Sequence, residues 1–181
     1  MKVGDETNRL VRRAHRGDSG ALAELVRETQ ADVWRLCAHL VDRQSADDLT
    51  QETYLRAVPA LRSFRGEAPF RSWLLTIARR VCAAEVELRQ RRRRLAARLP
   101  APGHVPDHAR HVGLELLLDT LNADQRAAFV LTQLLGCSYA EAAQVCECPV
   151  GTVRSRVARA RETLVQAADG RQEAKQAAPP A

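Results

Sequence analysis

The chain has 181 residues and a hydrophobic content of 45%, enough to support packed cores in one domain or two small ones. Aromatics reach only 4% and no alternating or β-branched run marks a sheet, which excludes β architectures and points to an all-α fold. The net charge of +6 is local: positions 79–98 hold eight arginines and two glutamates, and a second basic patch at 154–161 suggests two separate contacts with a polyanion.

The opening MKVGDETNRLVRRAHRGD lacks the apolar stretch of a secretory signal. No run of about 18 apolar residues predicts a membrane span. The expected location is the cytoplasm. A first helix is predicted over 5–16, ending at Arg16-Gly17-Asp18. A long second helix follows from about Ser19 to Val41, with Leu22, Leu25, Val26, Val33, Leu36, Cys37 and Leu40 at helical spacing. Ser45 is expected to cap a third helix reaching about Leu61. Its inner face carries Ala46, Leu49, Thr53, Ala57 and Leu61, and its outer face begins acidic with Asp47, Asp48 and Glu52 beside Gln51. Those charges suit a helix N-terminus and equally suit docking to a basic partner.

Residues 63–69 read as a loop. A fourth helix is predicted from Phe70 to Arg94 or beyond, with Phe70, Trp73, Leu74, Ile77, Val81, Ala84 and Leu88 inward and Arg79, Arg80, Arg89 and Arg91 to Arg94 making it basic. Phe64, Phe70 and Trp73 lie within ten positions of one another. Rings beside arginines are what single-stranded DNA binding uses, because bases stack on the rings while cations hold phosphates. Core packing is the other reading of Phe70 and Trp73, which leaves Phe64, in the loop, as the better base contact.

Proline and glycine in LPAPGHVP mark a linker. A short helix from Val112 to Leu121 follows, then a helix capped by Asn122 with Gln125 three residues on, ended by Gly136. Ser138 and Glu141 form a second capping box. Tyr139, Ala142, Ala143 and Cys146 make one stripe, and Pro149 stops the helix. From Val150 a last helix turns Val150, Val153, Val157, Ala160 and Leu164 inward and Arg154, Ser155, Arg156 and Arg159 elsewhere. Two short helices, a tight turn and an arginine-rich outer face make a helix-turn-helix whose second helix suits a major groove. Residues 169–181 are expected to be a disordered tail. The five cysteines are read as reduced, packed thiols. Zinc held by Cys146 and Cys148 with His104, His108 and His111 lacks the usual paired spacing. No catalytic residues, metal or other cofactor are expected, since no P-loop, HExxH, nucleophile elbow or acid–base cluster is present.

Taken in order, SADDLTQETYLRA, SFRGEAPFRSWLLTIARR and LNADQRAAFVLTQLLGCSYAEAAQVCECPVGTVRSRVARARETL resemble a bacterial RNA polymerase sigma factor of the sigma-70 family, extracytoplasmic-function group, over roughly residues 5–167. The resemblance implies a non-enzymatic promoter-specificity subunit with two helical domains, 1–98 and 113–168, joined by a flexible linker at 99–112. It implies that Asp47, Asp48, Gln51 and Glu52 dock on core RNA polymerase at the β′ clamp helices, with further contact to the β subunit. Phe64, Arg65, Trp73, Arg79 and Arg80 would then hold and melt the minus-ten promoter DNA, duplex and single-stranded. Thr152, Arg154, Ser155, Arg156 and Arg159 would enter the minus-thirty-five major groove. Ala84 stands where relatives commonly place a polar base-reading side chain. Two basic surfaces on a flexible linker also imply that the free protein packs its halves together or onto an anti-sigma protein.

Overall fold

The computed structural model describes residues 3–97 and 113–176, so the predicted linker and the end of the tail lie outside the described residues. All described regular structure is helical. α1 (Val3–His15) buries Leu10 and Val11 and turns at Gly17, whose φ of 86° suits a residue without a Cβ. Asp18 then caps α2 (Ser19–Leu40), its Oδ1 accepting the Ala21 N–H at 3.0 Å while Oδ2 accepts from Arg13 Nε at 2.9 Å.

α2 is the central rod of the first bundle. It buries Leu25, Val33, Leu36 and Cys37 against α3 (Ala46–Ala60) and α4 (Phe70–Ala96). The Thr29 hydroxyl lies 2.8 Å from the Tyr54 hydroxyl, pinning α2 to α3 by one of the few polar contacts in an apolar interface. The predicted inner face of α3 is buried throughout: Ala46, Leu49, Thr53, Ala57 and Leu61. Pro59 sits in the last turn of α3, which tightens into a 3-10 turn at Leu61–Ser63.

Three expectations need correction here. Ser45 makes no side-chain cap: its N–H donates to Asp42 Oδ1 at 2.8 Å, and its hydroxyl accepts from Arg89 instead. Ala84 and Leu88 are exposed, because α4 runs past the helices that cover its first half. Helical backbone also continues through 169–176, where a disordered tail was expected. Glu, Ala, Lys and Gln in that stretch are all good helix formers.

The second bundle comprises α5 (Leu114–Leu118), α6 (Ala123–Phe129), a π-helical turn at Val130–Leu134, α7 (Tyr139–Cys146) and α8 (Val150–Gln176). Both predicted capping boxes are formed, at Asn122 with Gln125 and at Ser138 with Glu141. Leu118, Leu131, Val130, Val145, Val153 and Val157 fill the core, each contributing about 1.5–3 kcal/mol of apolar burial. The two bundles touch: α7 packs on α4, and α6 and the π turn pack on α2.

Candidate nucleic-acid interface

The helix-turn-helix is built from α7 and α8. α7 ends at Glu147, which adopts the left-handed conformation, and its N–H bonds back to the Ala143 and Gln144 carbonyls. Pro149 cannot extend α7, but its carbonyl receives the Thr152 and Val153 N–H groups and so starts α8. Val153, Val157 and Ala160 are buried against α6 and α7. That geometry forces Arg154, Ser155 and Arg159 outward, and all three are exposed. Thr152 is half-buried beneath them, its carbonyl accepting the Ser155 hydroxyl at 2.9 Å. Arg156 differs. It is half-buried, bonds the Asp124 carboxylate and reaches Cys148 Sγ at 3.4 Å, so it braces α8 against α6 and the turn.

The second predicted surface lies at the start of α4. Phe64 is half-buried in a cluster of three rings, 5.9 Å from Phe70 edge-on and 5.0 Å from Trp73. Phe70 is the buried member, and Trp73 is half-buried. Phe64 thus presents one side to the interior and one to solvent, beside the exposed Arg65. Arginines along α4, beginning with Arg71 beside the ring cluster, turn towards the helix-turn-helix half. Arg71 Nε donates to Asp32 at 2.6 Å and its Nη2 to the Leu135 carbonyl at 2.7 Å. Burial works to depress the Arg71 pKa, but the bond to Asp32 and nearby negative charge raise it, so the group is a fixed cation. Arg79 donates to the Val145 carbonyl at 2.8 Å and to Glu147 at 2.9 Å, and Arg80 bonds the same carboxylate. Hydrogen bonding from Arg80 above all holds the Glu147 carboxyl below the usual carboxylate range. Phe64, Arg65 and Trp73 therefore cluster at one end of α4, whereas Arg79 and Arg80 are engaged by α7.

The acidic residues occupy a third place, the outer face of the first turns of α3. Asp47, Asp48 and Gln51 are exposed and Glu52 is half-buried, with Arg56 donating to Glu52 at 2.7 Å. Asp47 accepts from Trp34 Nε1 at 2.8 Å, and Arg43 stands over the Trp34 ring at 5.4 Å. Trp34 escaped the sequence reading. Its position beside the inward Val33 on α2 placed it half out of the core, where an indole N–H needs a polar partner. On the same helix outer face, Leu55 and Val58 are exposed apolar side chains.

Among the described residues no cluster of His, Cys, Asp and Glu could hold a metal ion; His104, His108 and His111 lie outside the described residues. The Cys146 thiol is pushed up to about 11, chiefly by burial, so it carries little thiolate near neutrality. No described helix is long and apolar enough to cross a membrane.

The family description "Sigma-70 region 2" matches residues 25–94 and "Sigma-70, region 4" matches residues 111–164. An ECF RNA polymerase sigma factor, SigC, of Mycobacterium tuberculosis is 49% identical over 86% of this chain and 88% of its own. The ECF RNA polymerase sigma-E factor of Haemophilus influenzae is 34% identical over 86% of this chain and 91% of its own. Among solved structures, CnrH in complex with the cytosolic domain of CnrY superposes with a TM-score of 0.71 at 25% identity, over 91% of this chain and 98% of that one. The sigma factor RpoE with the anti-sigma factor NepR from Bartonella quintana gives 0.67 at 28% identity, over 80% and 94%. Region 2 thus covers the acidic face, the ring cluster and the basic helix, and region 4 covers the helix-turn-helix. This chain belongs to the extracytoplasmic-function group of the sigma-70 family, and it works with RNA polymerase to select promoters for transcription initiation.

Proposed function

We propose that the three surfaces divide the work of initiation among named residues. Asp47, Asp48, Gln51 and Glu52, with Leu55 and Val58 alongside, dock on core RNA polymerase at the β′ clamp helices, and the chain touches the β subunit elsewhere. Phe64 and Arg65 hold an extruded base of the minus-ten element, supported by Trp73, while Arg79 and Arg80 hold its backbone. Opening a duplex costs a few kcal/mol per extruded base, and stacking on the exposed side of Phe64 offsets part of that cost. Thr152, Arg154, Ser155 and Arg159 enter the minus-thirty-five major groove, and Arg156 adds a backbone contact. An arginine bidentate to a guanine edge contributes about 1–3 kcal/mol of discrimination. The working units are 1–98, a linker over 99–112, 113–168 and a tail over 169–181. The protein acts in the cytoplasm, catalyses nothing itself, and takes an anti-sigma protein as a candidate regulator; the similar sigma factor RpoE from Bartonella quintana is bound to the anti-sigma factor NepR.

The observation that carries this reading is the placement of Arg154, Ser155 and Arg159 on the solvent side of α8, directly over the buried Val153, Val157 and Ala160. Run-off transcription by core polymerase on a panel of promoters tests it. The chain should produce transcripts absent with core alone, and loss of those transcripts when the upstream element is replaced should accompany it. No transcript above core alone on any promoter would sink the reading.

A further inference from the structure

Trp34 has no part in the division of labour among the three surfaces, yet it touches one of them. It stands half-buried on α2, next to the fully buried Val33. Its Nε1–H crosses to the first turn of α3 and donates to Asp47 Oδ1 at 2.8 Å. Arg43, in the turn that joins α2 to α3, lies over the face of the same ring, 5.4 Å from its centre. A cation is attracted there by the negative face of the indole. The ring is therefore fixed by three segments of chain: α2, the turn and α3. The acids of α3 are held in different ways. Glu52 receives Arg56 Nε at 2.7 Å, one turn on in its own helix, so a cation already offsets its charge. Asp47 receives a neutral donor instead. An indole N–H fixes the direction of the carboxylate without neutralising it. The bond engages Oδ1 and leaves Oδ2 to a cation brought by a partner, as a guanidinium or ammonium would be.

We propose that Trp34 is a positioning residue for polymerase docking: its indole N–H holds the Asp47 carboxylate in the orientation that meets a basic group of core RNA polymerase. The inference rests on the assignment of Asp47 to core docking and deepens it. An exposed aspartate on a helix surface turns freely between rotamers, and a partner that needs one of them must immobilise the side chain on binding. Here folding has already done so, because Trp34 is set by its packing on α2 and by Arg43 on its face. The ordering cost is removed from the docking step, which is what preorganisation contributes to affinity. The docking surface thereby extends from the outer face of α3 round to the corner where α2 meets it. The partner's cation approaches Asp47 from outside, while Arg43 stays on the ring. A tryptophan brace suits this place better than an arginine brace, since a second guanidinium on Asp47 would compete with the partner's own.

The test is titration of core polymerase into the full chain carrying fluorescein at its N-terminus, followed by anisotropy. Trp34→Phe keeps an aromatic ring under Arg43 and removes the N–H. It should bind core about fivefold more weakly than wild type. Asp47→Ala should bind about tenfold more weakly or worse, and adding Trp34→Phe to it should change affinity by less than about twofold, because the group being positioned is gone. A spectroscopic readout checks the contact in the free chain. The sequence has two tryptophans, so a nitrogen-15 spectrum shows one indole N–H signal for each, and Trp73→Phe assigns them. Asp47→Ala should move the Trp34 signal and leave that of Trp73 in place. Three results would overturn the proposal: core affinity of Trp34→Phe equal to wild type while Asp47→Ala is weakened, a Trp34→Phe loss that is the same with and without Asp47, or a Trp34 signal indifferent to Asp47→Ala. The second of these would mark a brace of the fold and nothing more. An Asp47→Ala chain that binds core like wild type would instead sink the assignment of Asp47 to docking, and this inference with it.

Discussion

Arg154 and Arg156 lie two positions apart on α8, and the structure predicts that they fail differently when truncated. Arg154 is exposed, so Arg154→Ala should change stability by no more than about 0.5 kcal/mol. Its cost should fall on DNA, about 1–3 kcal/mol if it reads a guanine edge, or roughly five- to 150-fold in affinity for the upstream element. Arg156 has a side chain 24% exposed, against 62% for its partner Asp124. A pair that open to solvent contributes about 0.5 kcal/mol. The packed aliphatic stem of Arg156 and its contact to Cys148 add a comparable amount, for a total near 1 kcal/mol. In a bundle of this size that corresponds to a melting shift of about 4–8 °C. Thermal unfolding by circular dichroism and electrophoretic binding of a promoter fragment by the holoenzyme separate the two effects. Asp124→Ala should reproduce part of the Arg156→Ala melting loss and add little to it in the double variant. If Arg156→Ala melts like wild type and loses DNA as severely as Arg154→Ala, the bracing role assigned to Arg156 is wrong.

Other outcomes follow from single contacts. Leu131→Ala, at a fully buried position, should cost about 2–5 kcal/mol, read as loss of the cooperative thermal transition of the helix-turn-helix half. Ser138→Ala removes a capping-box oxygen that accepts the Glu141 N–H and should cost about 1 kcal/mol by denaturant unfolding. Asp42 titrates below its usual value: burial acts to raise it, but bonds from Arg89 and the Ser45 N–H outweigh that. A depressed carboxylate adds stability above its unfolded pKa and loses it as pH falls through the folded one. The melting difference between wild type and Asp42→Asn should therefore be constant near neutrality and shrink below about pH 4; a difference that grows on acidification would contradict the assignment. Leu55→Asp on the exposed face of α3 should weaken co-purification with core polymerase while leaving the melting temperature within about 2 °C of wild type.

Much of the architecture could be read from periodicity and caps, because both are local. The α3 face and the Asn122–Gln125 and Ser138–Glu141 boxes depend on residues three or four apart, and each forms as its spacing implies. What spacing misses is where a helix outruns its neighbours. Ala84 and Leu88 continue the inward stripe of α4, yet nothing covers them at that distance from the bundle. The side-chain cap expected for α3 does not form for a related reason: Ser45 has the right chemistry, but Arg89, far along the chain, claims its hydroxyl. The site was legible as residue types and only partly as a layout. The outward arginines of α8 follow from Val153, Val157 and Ala160 beneath them. No local pattern says that Arg79 and Arg80 meet Glu147, or that Arg156 turns to Asp124, since these pairings depend on how separate helices dock.

The central claim is that one chain anchors upstream duplex through α8 and opens downstream DNA through the Phe64 ring cluster. Permanganate reactivity of unpaired thymines in promoter DNA bound by the holoenzyme tests it most directly. Wild type should expose reactive thymines at the minus-ten element, and Phe64→Ala should keep the upstream footprint but lose that reactivity. Reactive thymines with Phe64→Ala equal to wild type, or none with wild type on a promoter it occupies, would contradict the account.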